Sequence, residues 1–222
     1  MQHAEQMKQI AGERAIDYIK EDMTIGVGTG STVKYFIEKL GASKINIKGA
    51  VSSSNQSTTL LKKYNIPILD MNSAGDIDVY VDGADEVNHY LQMIKGGGGA
   101  LTFEKIIASN SKQFICIVDH SKYVIKLGNF PLPIEVIPMA RSYVAREILK
   151  RFNGTPNWRQ GVTTDSGNWI LDIYYLDILK PLELEEQINN IPGVVTNGIF
   201  ARRTADVLLI GQPDGVVKVI QG

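Results

Sequence analysis

The chain has 222 residues, 44% hydrophobic and 21% charged, which suits one large globular domain or a domain with a smaller companion. Its formal net charge of -1 excludes a general attraction to polyanions such as nucleic acid and leaves only a local basic pocket open. A single cysteine, Cys116, excludes an internal disulfide, and no apolar run reaches the ~18 residues of a membrane span.

Met1 to Gln6 carry no basic segment followed by an apolar core, so no signal peptide is read and the expected setting is the cytoplasm. His3, His89 and His120 are scattered without ligand spacing, so no metal site is expected. Met7, Ala11, Ala15 and Tyr18 recur at three- and four-residue intervals and predict an amphipathic helix from Ala4 to Ile19. Lys8 lies off that stripe and, by spacing, reads as a solvated lysine.

A β-type run from Met23 to Val27 leads into Gly26-Val-Gly-Thr-Gly-Ser-Thr32. Val33, Phe36, Ile37 and Leu40 then take up helical spacing, with Gly41 as C-cap. The glycine loop therefore joins a strand to a helix N-terminus, where free N–H groups and the helix dipole favour an anion. Ser31 and Thr32 add hydroxyl donors, although the same residues also suit a turn that binds nothing. A dinucleotide fingerprint wants glycine where Ser31 stands and an acid about 20 residues on, which Lys48 to Ser52 do not supply. A small phosphate ester fits this loop better than NAD or ATP.

Ile45 to Val51 predict a strand, and Ser52-Ser-Ser-Asn-Gln-Ser57 a hydroxyl-rich turn or simple N-cap. A helix with Leu60, Leu61 and Tyr64 follows, then a short strand from Ile66 to Leu69. The apolar run Ile77 to Val81 ends in Asp82-Gly-Ala-Asp85, two carboxylates that serve either as turn formers or as working acids. Next come Lys95, the four glycines Gly96 to Gly99 and a helix start carrying Glu104. Four glycines make sense where backbone bends sharply and approaches a ligand, and a lysine beside such a nest suits an anion. Glu104 by spacing alone could merely complement the helix dipole. Phe114 to Val118 form a buried strand ending in Asp119-His-Ser-Lys122.

This alternation predicts an α/β fold, a mostly parallel Rossmann-like sheet with helices on both faces. The loops Gly28–Thr32, Ser52–Ser54, Asp82–Asp85 and Asp119–Lys122 all follow strands, so they can converge on one ligand-binding rim. From Asn129 the texture changes. Phe130 to Pro138 is proline-rich, Ala140 to Phe152 reads as a helix, Asn168 to Tyr175 as a strand, Leu182 to Ile191 as a helix begun by Pro181, and Val194 to Phe200 as a strand. The expected organisation is an α/β catalytic domain of residues 1–128 and 205–222, with an inserted α+β subdomain of 129–204. Asp206–Ile210 and Val216–Ile220 are then two closing strands around Pro213-Asp-Gly215.

The rim offers carboxylates, lysines, hydroxyls and glycine N–H groups, with no Ser-His-Asp arrangement. Proton transfer at a carbon next to a carbonyl is the chemistry this set suits, with a lysine or N–H group facing the enediolate oxygen.

The motifs Gly26–Thr32, Val51–Ser54, Tyr80-Val-Asp-Gly-Ala-Asp-Glu86, Lys95–Ile107, Asp119-x-Ser-Lys122, Pro131–Pro138 and Ile191–Val195 run through nearly the whole chain in order. Together they resemble the ribose-5-phosphate isomerases of the A type. The resemblance implies interconversion of D-ribose 5-phosphate and D-ribulose 5-phosphate in the pentose phosphate pathway, with no cofactor, and a homodimer or homotetramer. It implies that Glu104 carries a proton between C1 and C2 through a cis-enediol, and that Asp82, Asp85 and Lys95 bind the sugar, assist ring opening and stabilise the enediolate. It further implies that Thr29, Gly30, Ser31, Thr32, Gly83, Ala84, Gly96, Gly97, Gly98, Lys122 and Lys8 hold the substrate, including its phosphate. Two alternatives are a non-catalytic sugar-phosphate sensor, for which this chain has no helix-turn-helix or basic stretch, and a related sugar-phosphate deaminase or acyl-CoA transferase.

Overall fold

The computed structural model describes residues 2–222. Helix α1 (Gln2–Arg14) continues as a 3-10 turn over Ala15–Tyr18 and is followed by β1 (Thr24–Val27), α2 (Ser31–Ala42), β2 (Gly49–Ser52), α3 (Asn55–Lys63) and β3 (Ile77–Asp82). Two short strands, β4 (Glu86–Val87) and β5 (Met93–Ile94), precede α4 (Leu101–Ser109) and the long β6 (Ser111–Asp119). Next come β7 (Leu132–Val136), α5 (Arg141–Phe152), β8 (Thr155–Trp158), β9 (Trp169–Tyr174), α6 (Pro181–Asn189), β10 (Val194–Asn197) and β11 (Ile199–Phe200), and the chain closes with β12 (Val207–Gly211) and β13 (Val217–Gln221).

The chain divides into two compact units. Among the described residues the first comprises 2–84, 103–123 and 205–222, and the second 85–102 and 124–204. The second unit therefore takes in the glycine-rich segment as well as the tract that changes texture at Asn129.

In the first unit six strands lie in the order β13-β12-β6-β3-β1-β2, all parallel except β13 at the edge. Strand residues alternate between faces. Val79 and Val81 join Ile25, Val27, Ile115 and Ile117 in a core with Ala11, Phe36, Ile37 and Leu61 of the first three helices. The opposite face receives α4, whose Ile107 stands where a Cβ on Gly26 would lie 2.5 Å from it. The helix stripes follow the sequence spacing: α2 buries Val33, Phe36, Ile37 and Leu40. The α3 N-terminus is capped by Ser54, whose hydroxyl accepts the Ser57 N–H at 3.2 Å.

In the second unit β10-β7-β9-β8 form an antiparallel sheet and β11-β5-β4 a smaller one. Leu132, Ile134, Val136, Leu171 and Ile173 pack against Val144 and Ile148 of α5 and Ile188 of α6. Among the described residues, no helix is long and apolar enough to cross a membrane.

Several boundaries differ from the sequence reading. The run Ile66–Leu69 is an isolated bridge, Ala50 to Ile68, because only one residue comes into register with β2. The strand expected from Ile45 begins at Gly49, whose φ of +157° and crowded α-carbon allow no side chain. Helix α2 runs past Gly41 to Ser43 as C-cap, since a Cβ on Gly41 would meet the Tyr64 ring at 2.6 Å: that glycine serves packing, not capping. Val194–Phe200 splits at Gly198 into strands of two different sheets. Strand β8 has no sequence signal; its four residues include a proline and an asparagine, both poor in strands.

Candidate active site

In the first unit the site residues gather where β1 and β3 end side by side. Parallel pairing brings Val27 opposite Val81, so the turn at Gly28 meets the carboxyl end of β3. The Gly28 N–H donates to the Val81 carbonyl at 2.9 Å, and a Cβ on Gly28 would fall 1.8 Å from the Asp82 carboxyl carbon. Glycine is required there because the two chains touch. The fully buried Asp82 carboxylate is bonded at both of its oxygens. Its Oδ1 accepts the Thr29 N–H at 3.0 Å and the Gly83 N–H at 2.7 Å, and its Oδ2 accepts the Tyr80 hydroxyl.

Tyr80 is itself fully buried, with its ring 4.7 Å from that of Phe114. Burial, then the negative charges of Asp82 and Glu104, push its phenol well above the usual range, so it stays protonated and donates. Glu104 lies in the first turn of α4 and is only 4% exposed. Two carboxylates therefore share one desolvated neighbourhood around a phenol.

The loop that follows β1 is braced by hydroxyls. Thr29 Oγ1 sits 2.7 Å from Ser53 Oγ and 2.8 Å from Ser54 Oγ, and Ser57 Oγ donates to the Gly28 carbonyl at 2.6 Å. Gly30 takes φ +126° and turns the chain into α2, so that Ser31 and Thr32 open the helix. Lys122 stands at the end of a 3-10 turn capped by Asp119, which accepts the Ser121 N–H at 2.9 Å. Lys8, on α1, pairs with Glu5 at 2.7 Å, and Glu5 also accepts the Tyr35 hydroxyl at 2.9 Å. Those two bonds hold the Glu5 carboxyl below its ordinary value, the Lys8 bond contributing most. The structure thus brings Thr29, Asp82 and Gly83 into direct contact. Lys8 bonds within its own helix, to Glu5.

In the second unit the corresponding group is built on β4, β5 and the glycines. The Asp85 N–H donates to the Ile94 carbonyl at 2.9 Å, and its Oδ2 accepts the Gly97 N–H at 2.7 Å. Lys95 is 3% exposed; its N–H donates to the Gly198 carbonyl at 2.9 Å and its ammonium lies 5.6 Å from the centre of the Phe200 ring. Gly96 and Gly99 adopt φ of +106° and +82°, conformations that favour glycine. A Cβ on Gly97 would lie 2.6 Å from Asp85 Oδ1, while Gly97 and Gly98 themselves are exposed. The buried Glu135 of β7 accepts the hydroxyls of Thr102 and Thr164 and the Asn168 amide.

Sequence reasoning missed Tyr80, Arg159 and Glu135 as parts of these groups. Tyr80 had a signal, since positions two apart on a strand share a face with Asp82. Arg159 reaches Gly96 and Gly97 across more than sixty residues, and nothing local in the sequence marks it.

The family model for ribose 5-phosphate isomerase A (phosphoriboisomerase A) matches residues 49–215. A ribose 5 phosphate isomerase A from Neisseria gonorrhoeae is 53% identical, with TM-score 0.96 over 98% of this chain and 97% of that one. A ribose 5-phosphate isomerase A from Methanocaldococcus jannaschii is 40% identical, with TM-score 0.91 over 97% and 98%. A D-ribose-5-phosphate isomerase in complex with phospho-erythronic acid is 44% identical, with TM-score 0.93 over 99% of both chains.

Proposed function

The chain belongs to the ribose 5-phosphate isomerase A family, and we propose that its reaction is the interconversion of D-ribose 5-phosphate and D-ribulose 5-phosphate through a cis-enediolate. The observation that carries this reading is the pair of buried carboxylates, Asp82 and Glu104, around the protonated Tyr80. A carboxylate withdrawn from water at a helix start is placed to accept a carbon-bound proton, and its neighbour, fixed by backbone N–H groups and the Tyr80 hydroxyl, can orient a sugar hydroxyl.

In the forward direction Glu104 takes the C2 proton of the open aldose, the electron pair moves to the carbonyl, and an enediolate forms. The same carboxyl then returns the proton to C1 while the proton of the C2 hydroxyl passes to the C1 oxygen, so that C2 becomes the carbonyl carbon of the ketose. Asp82 and Asp85 bind the sugar hydroxyls and assist ring opening, and the Lys95 ammonium offsets the developing oxyanion charge. Thr29, Gly30, Ser31, Thr32, Gly83, Ala84, the glycines Gly96 to Gly98, Lys122 and Lys8 hold the remainder of the substrate. The start of α2 supports phosphate capture, because its first N–H groups and the helix dipole favour an anion. One related structure is a complex with phospho-erythronic acid, a phosphorylated sugar acid, which supports such a substrate.

The setting proposed is the cytoplasm and the pentose phosphate pathway, with a homodimer or homotetramer as the working form.

The test is proton exchange in D₂O followed by NMR, with purified protein, ribose 5-phosphate and EDTA. Deuterium at C1 of the ketose or C2 of the aldose, with both sugars at equilibrium, is the expected result. Tight binding without exchange would replace the enzyme reading with a sensor.

A further inference from the structure

We propose that Arg159 is a positioning residue for the isomerisation: it clamps the peptide units of the glycine segment after Lys95, with Asp172 holding its guanidinium in place. The inference rests on the reading given under Proposed function.

Arg159 follows β8 directly, and its N–H donates to the Ile170 carbonyl at 2.9 Å, continuing the pairing with β9. Asp172 lies opposite Asn157 in that pairing, so the side chain of Arg159, two residues on, shares its face. The carboxylate takes the guanidinium from two directions, Nε to Oδ2 at 2.8 Å and Nη2 to Oδ1 at 2.5 Å. This bidentate fork fixes the plane of a group that would otherwise rotate. Both side chains are mostly buried, at 19% and 13% exposure, so solvent does little to loosen the pair.

The remaining nitrogen, Nη1, donates to the carbonyls of both Gly96 and Gly97 at 3.1 Å. The Gly96 carbonyl and the Gly97 N–H belong to one peptide unit, and that N–H is bound by Asp85 at 2.7 Å. The unit is therefore held at both ends, by a cation on its oxygen and a carboxylate on its nitrogen. The next unit is held by its oxygen alone. In a trans peptide the N–H points opposite to the carbonyl, so fixing the Gly97 oxygen also fixes the direction of the N–H of the exposed Gly98, away from Arg159. Without the arginine the Gly96–Gly97 unit keeps Asp85 on its nitrogen and the Gly99 N–H on its oxygen at 3.0 Å, whereas the Gly97–Gly98 unit loses the bond on its oxygen and regains glycine's freedom to flip. An N–H group aimed in advance at a developing oxyanion lowers the barrier; one that must be turned first does not.

Lysine cannot replace this residue. A single ammonium cannot meet Asp172 on two sides and two carbonyls at once.

The experiment compares wild type, Arg159→Ala, Arg159→Lys and Asp172→Asn in steady-state isomerisation of ribose 5-phosphate, with thermal melting of each. Arg159→Ala is expected to lose about tenfold to hundredfold in kcat with a smaller change in KM, and to regain part of the loss on adding guanidinium chloride at low, non-denaturing concentration. Arg159→Lys is expected to remain impaired, and Asp172→Asn, which keeps the arginine but loosens its plane, to fall between. Affinity for phospho-erythronic acid, measured by calorimetry on the same proteins, gives a readout independent of turnover and is expected to weaken in step. Wild-type kcat in a folded Arg159→Ala overturns the clamp. If that variant does not fold, wild-type kcat in Asp172→Asn overturns it instead. A wild-type protein that neither isomerises the sugar nor binds the acid fails separately, on its own assay, and removes the functional reading together with the clamp.

Discussion

Tyr80 and Asp82 sit two residues apart on β3, and the hydroxyl of the first donates to the carboxylate of the second. The strand's own alternation puts them on one face, so the bond forms without any loop having to order. Tyr80→Phe keeps the ring in its packing against Phe114 and removes only the donor. The Asp82 carboxylate then keeps two backbone bonds and gains freedom to turn. A hydrogen bond to a charged group is worth about 1.5–3 kcal/mol, so the variant is expected to melt several degrees lower and, as folded protein, to fall about tenfold or more in kcat. Steady-state kinetics with ribose 5-phosphate checks this, and an unchanged kcat would show that the two backbone N–H groups suffice.

Glu104→Gln preserves shape and burial at the first turn of α4 and removes the ability to accept a proton. The expected loss is about 10²–10⁴-fold in kcat with KM for ribose 5-phosphate nearly unchanged. Deuterium incorporation from D₂O should fall by the same factor. Loss of turnover with exchange retained would assign the proton carrier to another group.

The parallel sheet was legible because buried strands write themselves as apolar runs, such as Ile77–Val81 and Phe114–Val118, and because helices such as α2 keep a clean stripe. The positions of Asp82, Asp85, Lys95 and Glu104 were legible as a motif. What the motif does not contain is contact. That Gly28 is glycine because Asp82 occupies its Cβ position depends on the pairing of β1 with β3, fifty residues apart. Glu135, buried and bonded to Thr102, Thr164 and Asn168, reads in sequence as one acid within a proline-rich run. Short elements failed for a different reason: β4, β5 and β11 have two residues each, too few for any period to appear.

Gly28→Ala tests the touching of β1 and β3 directly. The added methyl would overlap the Asp82 carboxyl group, so either the carboxylate moves or the turn does. Overpacking of this kind costs about 1–3 kcal/mol, and it falls on Asp82, the carboxylate proposed to orient the sugar. The variant is expected to be less stable to urea by that amount and to lose more activity than stability alone explains. A Gly28→Ala protein with wild-type kcat would mean that the Asp82 position is not critical.

Tyr80 also sets an alkaline limit on the fold. Its phenol is held protonated by burial and by the charges of Asp82 and Glu104, whereas in the unfolded chain it ionises near its ordinary value of 10.0. Below that pH both states carry the proton and the residue adds no pH dependence. Above it the unfolded state releases a proton that the folded state retains, so unfolding is favoured as pH rises. The contribution is about 1.4 kcal/mol lost per pH unit from this residue, until the phenol in the fold ionises as well. Tyr80→Phe lacks this group and should lose stability less steeply. Urea midpoints measured from neutral pH upward are expected to differ by a constant offset below pH 10.0 and to converge above it. Parallel curves throughout would mean that the phenol ionises as easily inside the protein as outside, and that its hydrogen bond to Asp82 does not persist in solution.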